Sequence, residues 1–337
     1  MSCSLVIQTA FIGDVVLTTP LIAHLARLGP VDVVTTPATA GVLANHPAIR
    51  RVIAWDKERE RGPAALLRLA REVRATSRDA TAYCAQGSVR TALLARLAGY
   101  RHRVGFATSA GRWLYTRRVR DVEGQHHAER LLRLGLGAEA RIGAVDVRPR
   151  LHPGPAEREV VDTLLDATTD DRPMVALAPG SIWGTKRWPG YPELATILAT
   201  EFRIVVVGGP GDQALASRIV DAVPGRALDA TGRLSLLASA ELIGRCALLV
   251  TNDSAPQHLA SAMGTPTVTV YGPTVPSFGF GPLAPGSVTV GHERLPCRPC
   301  DHHGPPVCPL GHFRCMLELP VGRVAAAAHA ILGTRHA

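Results

Sequence analysis

Residues 249–260 read Leu249-Val250-Thr251-Asn252-Asp253-Ser254-Ala255-Pro256-Gln257-His258-Leu259-Ala260, and their reading decides the fold. A buried-strand pattern, Ala247 to Thr251, stops at Asn252-Asp253-Ser254. Pro256 then falls where a first helical turn tolerates it. The helix predicted from there runs through Leu259, Ala260 and Met263 to Gly264, and a further strand spans Thr267 to Tyr271. The unit is β-loop-α-β, and its loop holds a carboxylate, a hydroxyl and the open backbone N–H groups of a helix start. Such a terminus carries roughly half a positive charge and accepts phosphate or polyol oxygens. Asp253 and Ser254 read equally as a simple helix cap.

Working outward, the same alternation recurs over the whole chain. In the first half, Ser4 to Thr9 is a strand and Ala10 to Asp14 a loop. Val15 to Arg27 has Val16, Leu17, Leu21, Ile22 and Leu25 at helical spacing. Val31 to Thr36 is a β-branched run of the kind buried on both faces of a parallel sheet. Strands follow at Arg51 to Ala54, Thr81 to Cys84 and Arg103 to Phe106, with helices at Ala64 to Ala75, Ser88 to Ala98 and Gln125 to Leu134. The polar, proline-bearing stretch Asp146 to Pro155 marks a boundary. Beyond it, strands at Met174 to Ala178 and Arg203 to Gly208 alternate with helices at Tyr191 to Thr200, Asp212 to Val223 and Leu236 to Gly244. Two doubly wound α/β domains are expected, residues 1–150 and 151–320, with a helix in 321–337 packing back across the junction. Ligands of such sheets bind beyond the strand C-termini, so a cleft between the domains is the expected site.

Composition narrows the function. The 337 residues suit two domains, and no run approaches the length of a membrane-spanning helix. The start lacks a signal-peptide pattern, and seven cysteines in a chain of this size do not read as a disulfide scaffold, so a cytoplasmic protein is expected. The net charge of +9 is uneven. Residues 1–150 hold 23 Lys+Arg and 12 Asp+Glu, which is +11; residues 151–337 hold 14 and 16, which is −2. An excess confined to one half suits an anionic partner there, or else decorates solvated helix faces.

Four further constellations carry possible chemistry. Gly13-Asp14 follows the first strand, and Asp14 reads either as a cap of the first helix or as a carboxylate able to take a proton from an attacking hydroxyl. The run Pro179-Gly180-Ser181-Ile182-Trp183-Gly184-Thr185-Lys186-Arg187-Trp188-Pro189 is not a Walker loop. Its Ser181, Thr185, Lys186 and Arg187 offer hydroxyls and cations to a diphosphate, with a solvated loop under tryptophan lids as the other reading. Asp212, after Gly208-Gly209-Pro210-Gly211, is placed either to take ribose hydroxyls or to cap a helix. Cys297, Cys300, Cys308 and Cys315, interleaved with His302, His303 and His312, form a soft-ligand cluster read as reduced thiols or as a structural zinc site.

Taken together, FIGDVVLTTPLI (11–22), HHAERLL (126–132), LAPGSIWGTKRWP (177–189), VVVGGPGD (205–212), TNDSAPQHLASAMGTPTVTVYGPT (251–274) and CRPC…CPLGHFRCM (297–316) resemble the ADP-heptose:lipopolysaccharide heptosyltransferases of glycosyltransferase family 9, most of all the heptosyltransferase II branch. The resemblance implies a GT-B fold with an N-terminal acceptor domain and a C-terminal donor domain. It implies inverting transfer of heptose from ADP-L-glycero-β-D-manno-heptose to a Kdo- or heptose-bearing lipid A acceptor, with no catalytic cofactor. By that analogy Asp14, beside Gly13, is the general base, and Lys186 partners the donor phosphates with Ser181 and Thr185 nearby. Asp253 holds heptose hydroxyls; Ser254, Ala255 and His258 line the phosphate side, and Asp212 contacts the ribose. The expected partners are ADP-heptose and an anionic glycolipid at the inner membrane face, with no nucleic acid, and the expected state is a cytoplasmic monomer with peripheral membrane association. The competing readings are a GT-B transferase using another nucleotide sugar or acceptor, and a zinc-stabilised nucleotide-binding module.

Overall fold

In the computed structural model, residues 3–122, 124–137, 146–166 and 170–333 are described. They fall into two compact units, Met1–His152 and Pro153–Ala337.

The first unit is built on strands β1 (Ser4–Ile7), β2 (Val31–Thr35), β3 (Ile49–Ala54), β4 (Thr81–Cys84), β5 (His102–Phe106) and β6 (Arg117–Val119). They pair in parallel in the order β3-β2-β1-β4-β5-β6. Its helices are α1 (Ile12–Leu17), α2 (Thr19–Ala26), α3 (Pro37–Ala40), α4 (Pro63–Glu72), α5 (Val89–Leu97) and α6 (His127–Leu136). α6 packs on α1 and α2, whereas α4 packs beside α5. Right-handed crossovers leaving the sheet centre in opposite directions put those two sets on opposite faces. β1 and β2 are buried throughout, as their apolar runs require.

The second unit carries β7 (Met174–Ala178), β8 (Arg203–Val206), β9 (Ala227–Asp229), β10 (Leu248–Asn252), β11 (Thr267–Tyr271) and β12 (Val288–Gly291). The helices are α7 (Pro155–Leu165), α8 (Tyr191–Leu198), α9 (Gln213–Ala222), α10 (Leu236–Gly244), α11 (Ala255–Met263), α12 (Arg314–Leu317) and α13 (Val321–Gly333). The sheet order is β12-β11-β10-β7-β8-β9, again all parallel. Counted from its own first strand, each sheet therefore runs 3-2-1-4-5-6, the doubly wound order whose winding reverses between strands one and four. The expected α/β class with two such sheets is what the chain adopts. α13 packs on α8 and on β10, β11 and β12 of its own unit, and residues 334–337 of the expected C-terminal segment lie outside the described residues.

Several local expectations need correction. The single helix expected over 15–27 is two, because the chain turns at Thr18 just before Pro20. Asp14 does not cap α1: the N-cap is Phe11, and Asp14 is already in the first turn. β6 and β9 have three residues each, too few to show a periodicity in sequence. α11 ends as expected at Gly264, whose φ of +79° is left-handed and favours a residue without Cβ.

One buried charge anchors the first sheet. Asp32, on β2, is 2% exposed and accepts from Arg50 Nε and Nη2, each at 2.8 Å, and from Arg51 Nη2 at 2.6 Å. Burial pushes its pKa up, but the hydrogen bonds from Arg50 and Arg51 outweigh that and hold it below the ordinary aspartate value. A carboxylate depressed in the folded state stabilises fully above its unfolded pKa of about 4, and the contribution is lost as pH falls through the folded value. Asp32→Asn is expected to lower unfolding free energy by about 1–2 kcal/mol at pH 7, with the gap to wild type closing below about pH 4. Urea melts across pH test this, and a gap that stays constant down to acid pH would refute the assignment.

Candidate active site

In the second unit, the loops leaving β7, β10 and β11 meet at the C-terminal edge of the sheet, at the reversal of winding. Asn252, the last residue of β10, is fully buried and fastens two of them. Its Nδ2 donates to Pro179 O at 2.8 Å, and its Oδ1 accepts from Trp188 N at 3.2 Å and from the Tyr191 hydroxyl at 3.3 Å. Trp188, expected as a lid, is a core residue at 3% exposure, so the loop over 179–189 is anchored at both ends.

The next residue, Asp253, does not cap α11. Its Oδ2 accepts from Lys186 Nζ at 2.6 Å and from the Thr274 hydroxyl at 2.7 Å. The Lys186 and Asp253 side chains are 9% and 10% exposed, so the pair is largely withdrawn from water. Both donors use one oxygen, which leaves Oδ1 to receive a donor from a ligand, and Nζ keeps two of its three protons for acceptors. Thr274 is held by a turn wrapped round the Arg298 guanidinium, which donates to the carbonyls of Tyr271, Gly272, Thr274 and His292.

Lys186 lies in a 3-10 turn, Gly184–Lys186, pressed against residues 304–306. The Thr185 hydroxyl donates to Pro305 O, and a Cβ at Gly184 would come within 2.7 Å of Pro306 O, so only glycine fits that approach. Arg187 Nε donates to Ser181 O at 2.9 Å, and the Ser181 hydroxyl accepts from Trp183 N at 3.2 Å. Asp212 approaches the same loop: a Cβ at Gly180 would meet its carboxylate at 2.3 Å. Its Oδ2 accepts from Gly209 N at 3.0 Å, closing its own turn rather than capping α9. Ser254 occupies the N-cap position of α11 without making the side-chain cap bond, and Ala255 and His258 lie on the helix behind it. Lys186, Asp253, Ser181, Thr185, Arg187 and Asp212 thus gather at one sheet edge. Asn252, Thr274 and Arg298 belong with them and were not picked out from sequence.

The cysteine cluster is not gathered as a ligand set. Among the described residues no group of three or more His, Cys, Asp or Glu side chains is disposed to hold a metal ion. Cys315 is buried in the apolar core of the unit, and Cys300 is exposed with its thiol donating to Cys297 O at 3.3 Å. Cys297 Sγ lies 3.9 Å from His312 Nε2, and Cys308 is intermediate in exposure. All seven cysteines are free.

In the first unit the matching edge holds Asp14. His127, at the start of α6, places Nε2 3.2 Å from Asp14 Oδ1, with the two side chains 15% and 18% exposed. Arg130 Nη2 lies 3.1 Å from His127 Nδ1, and Asp121 pairs with Arg130 at 3.7 Å. A guanidinium only donates, so Nδ1 accepts, and the ring proton sits on Nε2, aimed at Asp14. Gly13 precedes Asp14 within the same turn of α1. Nearby, Lys57 Nζ donates to Thr9 O at 2.6 Å; burial first and the Arg90 charge second pull its pKa below the ordinary lysine value. The sequence had pointed to the segment holding His127 but not to its pairing with Asp14, because 113 residues separate them.

Two parallel sheets of this order in one chain are the architecture of its solved GT-B heptosyltransferase neighbours, and place the chain in that fold class. The chain belongs to glycosyltransferase family 9 (heptosyltransferase), whose description matches residues 66–309. It is 28% identical over 297 residues to lipopolysaccharide heptosyltransferase 2 of Escherichia coli K12, covering 81% of this chain and 84% of that protein. It is 32% identical over 120 residues to lipooligosaccharide heptosyltransferase 2 of Haemophilus influenzae, a match to 33% of this chain that spans only 35% of the relative's length. The solved E. coli ADP-heptose LPS heptosyltransferase II has the same fold, with a TM-score of 0.80 at 24% identity over 100% of both chains.

Asn252→Ala is expected to cost about 2–4 kcal/mol, because it leaves the buried Trp188 N–H, the Tyr191 hydroxyl and the Pro179 carbonyl without partners. Chemical denaturation measures this, and a change below about 0.5 kcal/mol would show that the bridge holds nothing.

Proposed function

We propose that the chain transfers heptose from ADP-L-glycero-β-D-manno-heptose to a lipopolysaccharide inner-core acceptor with inversion at the anomeric carbon. The observation that carries this reading is the Lys186–Asp253–Thr274 cluster at the β7/β10 edge. It pairs a cation that has protons to spare with a carboxylate that has one oxygen to spare. Those are the complements of a diphosphate and a polyol on one ligand. The family and the E. coli neighbour, an ADP-heptose LPS heptosyltransferase, support the donor.

In this reading residues 151–320 bind the donor and residues 1–150 the acceptor. Asp14 takes the proton of the acceptor hydroxyl as its oxygen attacks the anomeric carbon. The bond from that carbon to the β-phosphate oxygen breaks, and ADP leaves with the electron pair. His127 Nε2, 3.2 Å from Asp14 Oδ1, orients that carboxylate for the acceptor hydroxyl. Lys186 neutralises charge growing on the leaving diphosphate, where a preorganised cation in a partly dry site acts strongly. Ser181, Arg187 and the N–H groups at Ser254 and Ala255 line the phosphates, with His258 beneath them; Thr185, committed to Pro305, fixes the position of Lys186. Asp253 takes heptose hydroxyls, and Asp212 those of the ribose. No metal or organic cofactor is invoked, the enzyme acts as a cytoplasmic monomer, and the basic first half suits the Kdo carboxylates and lipid A phosphates of the acceptor.

Incubation with ADP-heptose and Kdo-lipid A, with and without chelator, is expected to release ADP equally; no release with any inner-core acceptor would overturn the proposal. Asp14→Ala is expected to lower turnover by roughly 10²- to 10⁴-fold while ADP-heptose binding survives, and unchanged turnover would remove it from the chemistry. Lys186→Ala is expected to weaken ADP-heptose binding by about 1–3 kcal/mol, and equal calorimetric affinities would reject its role.

A further inference from the structure

The cysteine-bearing segment braces the Lys186–Asp253 pair. Between Cys300 and Cys308 runs a strap, residues 301–307, that touches the loops after β7 and β11. On the β7 side His303 stacks on Trp183, with ring centroids 6.2 Å apart and planes 19° from parallel, and Pro305 O takes the Thr185 hydroxyl. On the β11 side the His302 and Phe278 ring centroids are 4.5 Å apart, and Cys300 N donates to Pro273 O at 2.8 Å. In the middle Gly304 is buried between the two loops, where a Cβ would come within 3.1 Å of Pro273 Cγ and 3.3 Å of Lys186 Cε. The strap is thus wedged against the stem of the cation that the donor diphosphate is proposed to meet.

A thiol stands at each end of the strap, and both are reachable: Cys300 is exposed and Cys308 half-buried. Gly311 (φ +71°) and Phe313 (φ +47°) are left-handed, and the turn they make directs successive main-chain N–H groups at Cys308 Sγ. Burial pushes that thiol's pKa up, but the N–H groups of Phe313, Leu310, Gly311 and His312 outweigh it and hold the value below that of an ordinary cysteine. Cys300 is shifted the other way, by partial burial first and then by the charges of Cys297 and Cys308. Short contacts connect the three. The Cys300 thiol donates to Cys297 O at 3.3 Å, and Cys297 Sγ lies 3.9 Å from Nε2 of His312, whose main-chain N–H serves Cys308. Cys315 stands apart, buried in the core with its thiol pushed up to about 11 by that burial. An accessible thiol of lowered pKa with a second thiol close by is the arrangement of a redox-responsive pair.

We propose that Cys308 and Cys300 form a reversible disulfide that closes the strap into a ring and shifts it off Lys186, so that thiol oxidation weakens nucleotide binding. The oxidant is a low-molecular-weight disulfide. The Cys308 thiolate attacks one of its sulfurs and expels one thiolate; the Cys300 thiolate then attacks the Cys308 sulfur of that mixed disulfide and expels the second. The two protein thiols give up two protons and two electrons, and the reagent becomes two thiols. Making the bridge takes Cys308 Sγ out of its N–H cradle and Cys300 Sγ off Cys297 O, so both ends of the strap move. The effect on nucleotide rests on the donor site proposed above; the bridge does not.

The test incubates the full chain with oxidised glutathione, maps the bridge by peptide mass spectrometry and measures ADP affinity by calorimetry before and after. A Cys300–Cys308 bridge is expected, with ADP affinity lower by at least about fivefold and restored by dithiothreitol. By reciprocity, saturating ADP is expected to hinder bridge formation by the same factor. Cys300→Ser and Cys308→Ser have no bridge to make and are expected to bind ADP like the reduced wild type, with or without oxidant. A bridge from Cys300 to Cys297, glutathione adducts alone, or an unchanged ADP affinity with the bridge in place would overturn the proposal. Trp183 reports on the strap without nucleotide: its emission, taken as the difference between wild type and Trp183→Phe, is expected to change on oxidation as the stack on His303 is lost. Absent ADP binding in the reduced protein, with the bridge and the emission change intact, would instead sink the proposed reaction and leave the redox strap standing.

Discussion

The second unit depends on where one carboxylate is allowed to sit. Asp253 follows a strand buried over its whole length, so its position is fixed by the sheet rather than by the loop it opens. Burying it without compensation would be expensive, and Lys186 and Thr274 remove that cost by reaching it from the loops after β7 and β11. A pair this withdrawn from water is weak evidence for stability, since apolar substitutes often do as well. Its worth is positional: three loops from three strands are drawn to one point, and Asp253 Oδ1 and two of the Lys186 protons remain unused.

The same logic explains the fixed backbone around the pair. Asn252 uses both ends of its amide to hold the β7 loop, and the segment 304–306 bears on the turn that carries Lys186. In the first unit, the chain Asp121–Arg130–His127–Asp14 does comparable work with charges and a single tautomer. In both cases a candidate site group is oriented by a neighbour that is itself held, so little side-chain freedom is left to lose.

Much of this could be read in the chain before the structure. Uninterrupted β-branched runs followed by helical periodicity gave away the parallel sheets, and Asp14, Lys186 and Asp253 stood out because they follow strands. Less legible was whatever depends on adjacency. Lys186 and Asp253 are 67 residues apart, Asn252 and Pro179 73, and no local pattern records such meetings. Asn252 looks like a turn residue, and only burial reveals it as a bridge. The cysteine run left reduced thiols and metal ligands both open in sequence, and packing puts Cys315 into the core and turns Cys300 outward. Capping was misjudged at Asp14 and Asp253, which lie off the cap positions, while Asp212 holds the N-cap position of α9 but gives its carboxylate to Gly209 N instead.

The Arg298 guanidinium has a consequence for how this chain can change. The turn after β11 is cast around that planar cation, whose fork reaches four carbonyl oxygens at once. A lysine there would bring the same charge as a single point with three protons and could not span them. While Thr274 adds a side chain to Asp253, the shape of the turn is therefore set by a residue more than twenty positions downstream, which grips it through main-chain oxygens alone. A substitution record of this chain would carry its sharpest constraint there, on the mould rather than on the casting.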